Sequence, residues 1–332
     1  MSQTIMKSSM AGGHNTPSLE AINLTKKYGA SFTALSNLNL KIEGAKCVGF
    51  LGPNGAGKTT TLKIFCDMIR ASSGEAYLNG VEIRHDKKRA LESCGVLIET
   101  PEIYPALTAR EALSMFAEIK GIPKVERSKG VEDALVEVGM EEWINKKFGS
   151  FSRGMRQRIN IAASLLGQPS ILLLDEPTTG LDPRGMTEVR EILKSIKEKK
   201  DRLIFMSSHL LNEIAEVCDE VAMIDRGKLL LYDTIENAVR LSSSSGIFEA
   251  SFSRPIDYNL VASRLKSVDQ VSLVERSSER DVRVRFSGGL ETQEAVVSLL
   301  ASMQIGLVSF KRSSGSALEE LYLKLVSKGE GA

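Results

Sequence analysis

The chain of 332 residues lacks any apolar run of the roughly 18 residues that a membrane-spanning helix requires. Its first segment, residues 1–17, is polar and has no apolar stretch of the kind found in secretion signals, so we expect a flexible tail there. These absences predict a cytoplasmic protein. Any role at a membrane would then depend on a partner that spans it.

The net charge is small and cysteines are few. Acidic and basic residues nearly cancel, with a formal net charge of +1, so electrostatics give no reason to expect a nucleic-acid partner. Because no two cysteines form a CxxC pair and no histidine cluster accompanies them, we expect free buried thiols in a reducing compartment. The four cysteines are Cys47, Cys66, Cys94 and Cys218.

The most specific pattern present is a glycine-rich loop at residues 52–60, whose letters G-P-N-G-A-G-K-T fit G-x-x-x-x-G-K-[ST]. A short apolar run precedes it, and apolar residues at spacings of three and four follow it. This pattern predicts strand, loop and helix in that order. Such a loop binds triphosphate through backbone N–H groups, and the helix that follows directs its positive end at the phosphates.

The positions of this loop have different expected roles. Gly52, Gly55 and Gly57 would permit the required dihedral angles and close approach of the backbone. Lys58 would reach the β- and γ-phosphates, and Thr59 would offer its hydroxyl to Mg²⁺. The other residues expected at the nucleotide are Pro53, Asn54, Ala56 and Thr60. The loop predicts an ATP site, but it does not distinguish kinases, GTPases, helicases and transporters.

Two adjacent carboxylates follow a second predicted buried strand, at residues 171–174. An acid in this position usually caps a helix or forms an ion pair, but two in a row downstream of a phosphate loop suggest separate roles. Asp175 would hold Mg²⁺ through its water shell, and Glu176 would orient and polarise the attacking water. His209 follows the next predicted strand and would reach the γ-phosphate. The set predicts hydrolysis of ATP.

Strands interleaved with helices over residues 18–235 predict an α/β P-loop NTPase domain, with a mostly parallel sheet and a helical insertion at about residues 100–167. Within the insertion, Thr108 and Glu111 predict a capping box. Four serines at 242–245, followed by Gly246, predict a linker. The order βαββαβ beyond it predicts a small α+β, ferredoxin-like domain at residues 246–332, with a regulatory or dimerisation role.

Taken in order and with their spacing, the motifs of residues 19–233 resemble the ATP-binding subunits of ABC transporters. The resemblance implies that Tyr28 stacks on adenine and that His209 is the switch histidine. Residues 151–158 stand in the place of the family signature. This position implies that Ser152 and the backbone of Gly154 bind the γ-phosphate held by a second subunit.

Further along, the loop that contains Asp182 resembles the one joining the two nucleotide sites of the dimer. Two positions depart from the family pattern. Met155 replaces the commoner glutamine of the signature, so any contact of that glutamine is missing. Alignment through Tyr104 places Glu99 where the family usually has a glutamine that contacts Mg²⁺ and the attacking water. We expect altered coupling there, with hydrolysis retained.

Both departures, together with the C-terminal extension, resemble the subfamily that exports drugs, bacitracin and lantibiotic-type peptides. The resemblance implies an ATPase subunit that closes with a second copy, or a homologous subunit, on two ATP molecules. It would power a separate integral membrane permease from the cytoplasmic face of the membrane, docking near Ile103 and Tyr104.

Two alternatives remain open. One is a soluble ABC ATPase of translation or DNA repair, although this sequence has neither a second ATPase half nor a heptad run. The other makes the C-terminal domain a ligand-sensing regulator.

Overall fold

The computed structural model describes residues 16–29, 31–99, 102–241, 246–286, 290–312 and 314–329. The predicted N-terminal tail lies outside the described residues except for its last two positions, and the predicted linker lies outside them except for Gly246. Up to residue 241 the elements are, in chain order, β1 (Ser18–Tyr28), β2 (Phe32–Glu43), β3 (Cys47–Leu51), α1 (Lys58–Phe65), β4 (Ser73–Leu78), β5 (Val81–Glu82), α2 (Lys87–Glu92), β6 (Cys94–Leu97), α3 (Ala109–Ile119), α4 (Lys124–Glu137), α5 (Arg153–Leu165), β7 (Ile171–Asp175), α6 (Pro183–Glu198), β8 (Leu203–Ser208), α7 (Leu211–Val217), β9 (Glu220–Asp225), β10 (Lys228–Thr234) and α8 (Ile235–Leu241).

A six-stranded sheet with the order β10-β9-β3-β8-β7-β6 forms the centre of this region. The strands from β9 to β6 are parallel, and only β10 at the edge is antiparallel. Every residue of β3 and β8 is buried. Strands covered on both faces need continuous apolar sequence, which is why these short runs lie in the middle of the sheet. The predicted mostly parallel sheet is therefore confirmed.

A second sheet, which the sequence did not predict as a separate layer, has the antiparallel order β2-β1-β4-β5. Its apolar side chains share one core with α1 and one face of the central sheet. The ring of Phe205 contacts those of Phe50 and Phe65 in this core. The helix that follows the glycine loop is thus held between two sheets.

The helical insertion covers the opposite face of the central sheet. The predicted capping box is present, since Thr108 accepts from the backbone N–H of Glu111 and the Glu111 carboxylate accepts from the backbone N–H of Thr108. Helix α4 begins at Lys124, seven residues before Val131, from which the apolar spacing of the sequence indicates a helix. Its first half is polar and mostly exposed, so apolar spacing could not reveal it.

The C-terminal region contains β11 (Gly246–Phe252), α9 (Tyr258–Leu265), β12 (Val271–Arg276), β13 (Asp281–Phe286), α10 (Leu290–Ser302), β14 (Leu307–Arg312) and α11 (Ser314–Gly329). Its sheet has the order β12-β13-β11-β14 with every pair antiparallel, which confirms the predicted ferredoxin-like topology. The ring of Phe248 stacks on the ring of Phe286 and on the ring of Phe310.

Helix α11 joins this C-terminal region to the first part of the chain. Leu318 and Leu321 are buried in the same core as Ile214 and Val217 of α7. The Tyr322 hydroxyl lies 3.4 Å from Asp225 Oδ1 at the end of β9. Among the helices of the described ranges, none combines the length and apolar composition needed to cross a membrane.

Two glycines give a matched test of packing around the central sheet. A Cβ at Gly95 in β6 would lie 2.0 Å from the carbonyl oxygen of Ser164, which is backbone of α5 and cannot move aside cheaply. We expect Gly95→Ala to lower the free energy of unfolding by about 2–3 kcal/mol. At Gly130 in α4 the added Cβ meets no described atom within 4 Å. Gly130→Ala should raise the free energy by about 0.5–1 kcal/mol through helix propensity. Equal denaturant midpoints for the two variants would contradict this packing.

Candidate active site

The glycine loop lies between β3 and α1, as its sequence predicts. Gly55 and Gly57 have φ angles of 83° and 110°, which L side chains rarely adopt. A Cβ at Gly52 would lie 2.3 Å from the carbonyl oxygen of Ile224, so close approach to β9 excludes a side chain there. A Cβ at Gly55 would meet no described atom within 4 Å. The loop therefore has open space beside it, in which a ligand can contact the backbone.

The ammonium of Lys58 is folded back over this loop. The side chain is 4% exposed, and Nζ donates to the carbonyl oxygens of Gly52 at 2.8 Å and Pro53 at 3.1 Å. Its one charged neighbour among the described residues is Glu176, at 3.4 Å. A buried ammonium is stable only with anionic or well-aligned polar partners. The position therefore fits a phosphate group, which would add negative charge where only one carboxylate now lies.

A hydroxyl and a carboxylate meet at the first turn of α1. Thr59 Oγ1 donates to Asp175 Oδ2 at 2.8 Å, and Ser207 Oγ donates to Asp175 Oδ1 at 2.5 Å. Hard oxygen ligands of this kind suit Mg²⁺, which usually takes one or two carboxylates together with phosphate oxygens and water. In the described part of the chain no group of three or more Asp, Glu, His or Cys side chains gathers as a closed metal site. Mg²⁺ would therefore depend on the nucleotide for some of its ligands.

Glu176 is held from several directions. Its backbone has a φ of 44°, and its N–H donates to Ser207 Oγ at 2.9 Å. The carboxylate accepts from Thr179 Oγ1 at 2.8 Å and lies 3.2 Å from His209 Nδ1. Burial opposes ionisation, but the hydrogen bond from Thr179 and the charges of Lys58 and His209 hold the pKa of Glu176 below its ordinary value. The carboxylate is therefore ionised at neutral pH, as a group that orients water must be.

Ser207 and Thr179 were not predicted from the sequence. Ser207 donates to the Asp175 carboxylate and accepts from the backbone N–H of Glu176, and Thr179 donates to the Glu176 carboxylate. The available signal was the end of β8, where two serines precede His209 at the same edge of the sheet as Asp175. Polar residues at the carboxyl ends of neighbouring parallel strands meet at that edge.

Tyr28 lies at the end of β1 and is 43% exposed. Its ring pairs with that of Phe32, which begins β2, with centroids 6.3 Å apart and planes at 25°. Lys26 Nζ lies 5.0 Å from the Tyr28 ring centroid. Flat exposed aromatic surface of this kind accepts a stacked base. Phe32, which the sequence did not single out, supports the ring predicted for that role.

Glu99 has different bonding partners from the other two carboxylates, Asp175 and Glu176. Its φ is 62°, and its carboxylate pairs with Lys63 Nζ at 2.6 Å. No hydrogen bond or ion pair of the described residues joins Glu99 to Thr59 or Asp175. The hydrogen bond to Glu99 raises the pKa of Lys63 against the opposing effect of burial, and the charges of Glu99, Tyr28 and Asp175 add to it.

The signature segment forms the start of α5. Ser152 Oγ accepts from the N–H of Met155 at 3.2 Å, and Arg153 donates to the carbonyl oxygen of Gly180 at 2.6 Å. Asp182 caps α6 through the N–H of Gly185 at 3.1 Å. In the described ranges, no hydrogen bond or ion pair joins Ser152 or Asp182 to the glycine loop.

Comparison with known proteins identifies the family. A profile described as ABC transporter matches residues 35–179. The bacitracin transport ATP-binding protein BcrA of Bacillus licheniformis is 33% identical over 311 residues, which cover 94% of this chain and 98% of that protein. The chain belongs to the ABC transporter family, as an ATP-binding subunit. This membership confirms the resemblance that the motifs carry, and the chain is accordingly an ATP-hydrolysing ABC ATPase.

Other relatives agree with this assignment. The lantibiotic transport ATP-binding protein SrtF of Streptococcus pyogenes is 36% identical over 234 residues, covering 70% of this chain and 98% of that protein. The solved structure of cbiO1 from Clostridium perfringens has a TM-score of 0.61 and 28% identity, covering 67% of this chain and 90% of that one. A dimeric ATP-binding cassette solved after hydrolysis with ADP and Pi has a TM-score of 0.57 and 25% identity, over 65% of this chain and 98% of that one.

ABC ATPases bind ATP and ADP, dimerise, and work with membrane permeases, and this subunit shares that general description. The alternative of a soluble ABC ATPase in translation or DNA repair is not favoured, because the relatives BcrA and SrtF are transport proteins by name.

Replacement of Ser207 tests the arrangement of the two carboxylates. Ser207→Ala removes the hydrogen bond that the Asp175 carboxylate accepts and leaves the backbone N–H of Glu176 without its partner. We expect the free energy of unfolding to fall by about 1–3 kcal/mol and the turnover number of this ABC ATPase to fall at least about tenfold. Denaturation and steady-state ATP hydrolysis measure the two effects. Thr187→Ala, which removes a hydroxyl bonded to the carbonyl oxygen of Pro183 in the first turn of α6, is the control. Turnover unchanged in Ser207→Ala would contradict the arrangement.

Proposed function

We propose that this ABC ATPase powers the export of a drug or peptide through a separate integral membrane permease, to which it binds on the cytoplasmic face of the membrane. The carrying observation is similarity to the bacitracin transport protein over 94% of this chain, which includes the C-terminal region as well as the ATPase motifs. The lantibiotic transport protein supports the same class of cargo. The two departures from the common family pattern, Glu99 and Met155, resemble that export subfamily as well.

Within each site, Lys58 binds the β- and γ-phosphates by exchanging its carbonyl contacts for phosphate oxygens. Bound beside Thr59 and Asp175, Mg²⁺ would neutralise part of the charge of the triphosphate. Glu176 accepts the proton of the attacking water through its ionised carboxylate. Thr179 and His209 fix the orientation of that carboxylate, since both contact its Oε2 atom.

A second subunit would complete each site. The N-terminus of α5, with Ser152 and the backbone of Gly154, presents unpaired N–H groups of the kind that bind anions. This helix start makes no described bond to the loop of its own chain. We therefore assign it to the γ-phosphate that is bound on a second copy or a homologous subunit. Asp182, in the adjoining loop, would link the two sites.

We also propose domain boundaries at residues 18–235 for the ATPase domain and 246–332 for a regulatory or dimerisation domain. The support is the separate antiparallel sheet and core of the second region. Helix α11 qualifies this division, because Leu318 and Leu321 pack into the core of the first domain against α7. Motion of the C-terminal domain would therefore reach the helix that follows His209.

Glu176→Gln tests the proposed hydrolytic role. The amide keeps the size of the side chain but cannot accept a proton from water, so we expect ATP to bind and to trap a closed dimer while turnover falls at least about a hundredfold. Size-exclusion chromatography with light scattering measures the dimer, and phosphate release measures turnover. Lys58→Ala should differ in kind, because it removes a phosphate ligand and should weaken nucleotide binding itself. Wild-type turnover in Glu176→Gln would exclude Glu176 as the general base.

The permease contact is tested at Tyr104, which is 71% exposed beside the buried Ile103 near the start of α3. An exposed aromatic side chain contributes strongly to the free energy of binding when a partner protein buries it. We expect Tyr104→Ala to lose most transport and most recovery with membranes that contain the cognate permease, while ATP hydrolysis by the isolated subunit is unchanged. Val308→Ala, on the exposed edge strand β14, is the control. Full transport by Tyr104→Ala would exclude Tyr104 from the contact with the permease.

A further inference from the structure

Lys63 is a charged residue of α1 that the proposed mechanism does not use. It lies four residues after Thr59, so the two side chains project from the same face of the helix. Its Nζ atom lies 2.6 Å from Glu99 Oε1, and its side chain is 26% exposed while that of Glu99 is 67% exposed. The more buried partner of the pair is therefore the lysine, which is anchored on the helix that carries the phosphate-binding residues.

The charge at this place needs a neutralising partner. Asp175 and Glu176 already provide two carboxylates at the end of β7, and a third at Glu99 would repel an incoming triphosphate. Unit charges about 8 Å apart interact by about 1 kcal/mol at an effective dielectric constant near 40, which changes binding severalfold. A neutral glutamine, the usual residue of the family at this position, brings no such repulsion.

The backbone of Glu99 also needs support. A non-glycine residue with a φ of 62° lies in the left-handed region, which costs of order 1 kcal/mol for most side chains. Exposed ion pairs add little to global stability. The Lys63–Glu99 contact is therefore better suited to setting the local charge and conformation than to holding the fold together.

We propose that Lys63 is a positioning residue of the nucleotide site: it holds the Glu99 carboxylate beside α1 and cancels its charge, so that a glutamate can occupy the position at which the family usually has glutamine. This inference rests on the proposed function and on the role at the metal-bound nucleotide that the family resemblance implies for Glu99. It assigns to this ABC ATPase a charge pair that tunes how nucleotide binding depends on Mg²⁺.

The test is a charge series in the full-length subunit: wild type, Lys63→Met, Glu99→Gln, and the double variant. Binding of a fluorescent ATP analogue is titrated in EDTA and again with Mg²⁺. In EDTA we expect Lys63→Met to bind about three- to tenfold more weakly than wild type, because Glu99 is left uncompensated. Glu99→Gln should bind more tightly than wild type, and the double variant, with the same net charge as wild type, should match it within about twofold.

Two variants complete the series. Lys63→Arg keeps the charge and should retain wild-type binding. Lys194→Met breaks an equivalent pair with Glu191 on α6 and should also bind like wild type. The Mg²⁺-induced gain in affinity should be largest in Lys63→Met, since metal then relieves the added repulsion. If the double variant binds as weakly as Lys63→Met, or Lys63→Met binds like wild type, the proposal is overturned.

A second readout tests the holding role directly. Amide hydrogen exchange of the peptide containing Glu99 should become faster in both Lys63→Met and Glu99→Gln, and should stay unchanged in Lys194→Met. Unchanged exchange in both would refute a positioning role for Lys63. Failure of the proposed function looks different, because the wild-type subunit would then support no export through its permease while these differences in nucleotide binding remained.

Discussion

Neighbouring parallel strands have their carboxyl ends at the same edge of a sheet. In this protein that constraint places the residues of the candidate ATP site beside one another. β3 leads into the glycine loop, β7 ends at Asp175, and β8 ends just before His209. Because β3 pairs with β8 and β8 with β7, residues from three distant parts of the chain meet without any long loop. The six-stranded order, with β3 between β8 and β9, thus decides which side chains can share a phosphate.

At this edge the charges are already paired before any nucleotide enters. Lys58 lies against Glu176, and Lys63 against Glu99. Asp175 is held by the hydroxyls of Thr59 and Ser207. A triphosphate bound here would exchange these contacts for new ones, and its binding free energy would be the difference between the two sets. Substitutions at these pairs should act on nucleotide affinity and turnover more than on the fold.

The sequence predicted the parts of this site that depend on local pattern. The loop, the strand of Asp175 and the capping box at Thr108 each combine residue type and spacing within a few positions, and the structure confirms all three elements. It did not predict the contacts that depend on tertiary pairing. Ser207 bonds to the Asp175 carboxylate on a neighbouring strand and to the backbone N–H of Glu176, and Lys63 pairs across 36 residues with Glu99. No local pattern records which strands are adjacent.

The central claim is that two subunits share each ATP site, and it is tested most directly by the specific ATPase activity as a function of subunit concentration. Activity per subunit should rise with concentration through the range in which light scattering detects the ATP-bound dimer, and then level off. A specific activity that stays constant down to concentrations at which only monomer is present would contradict the shared site.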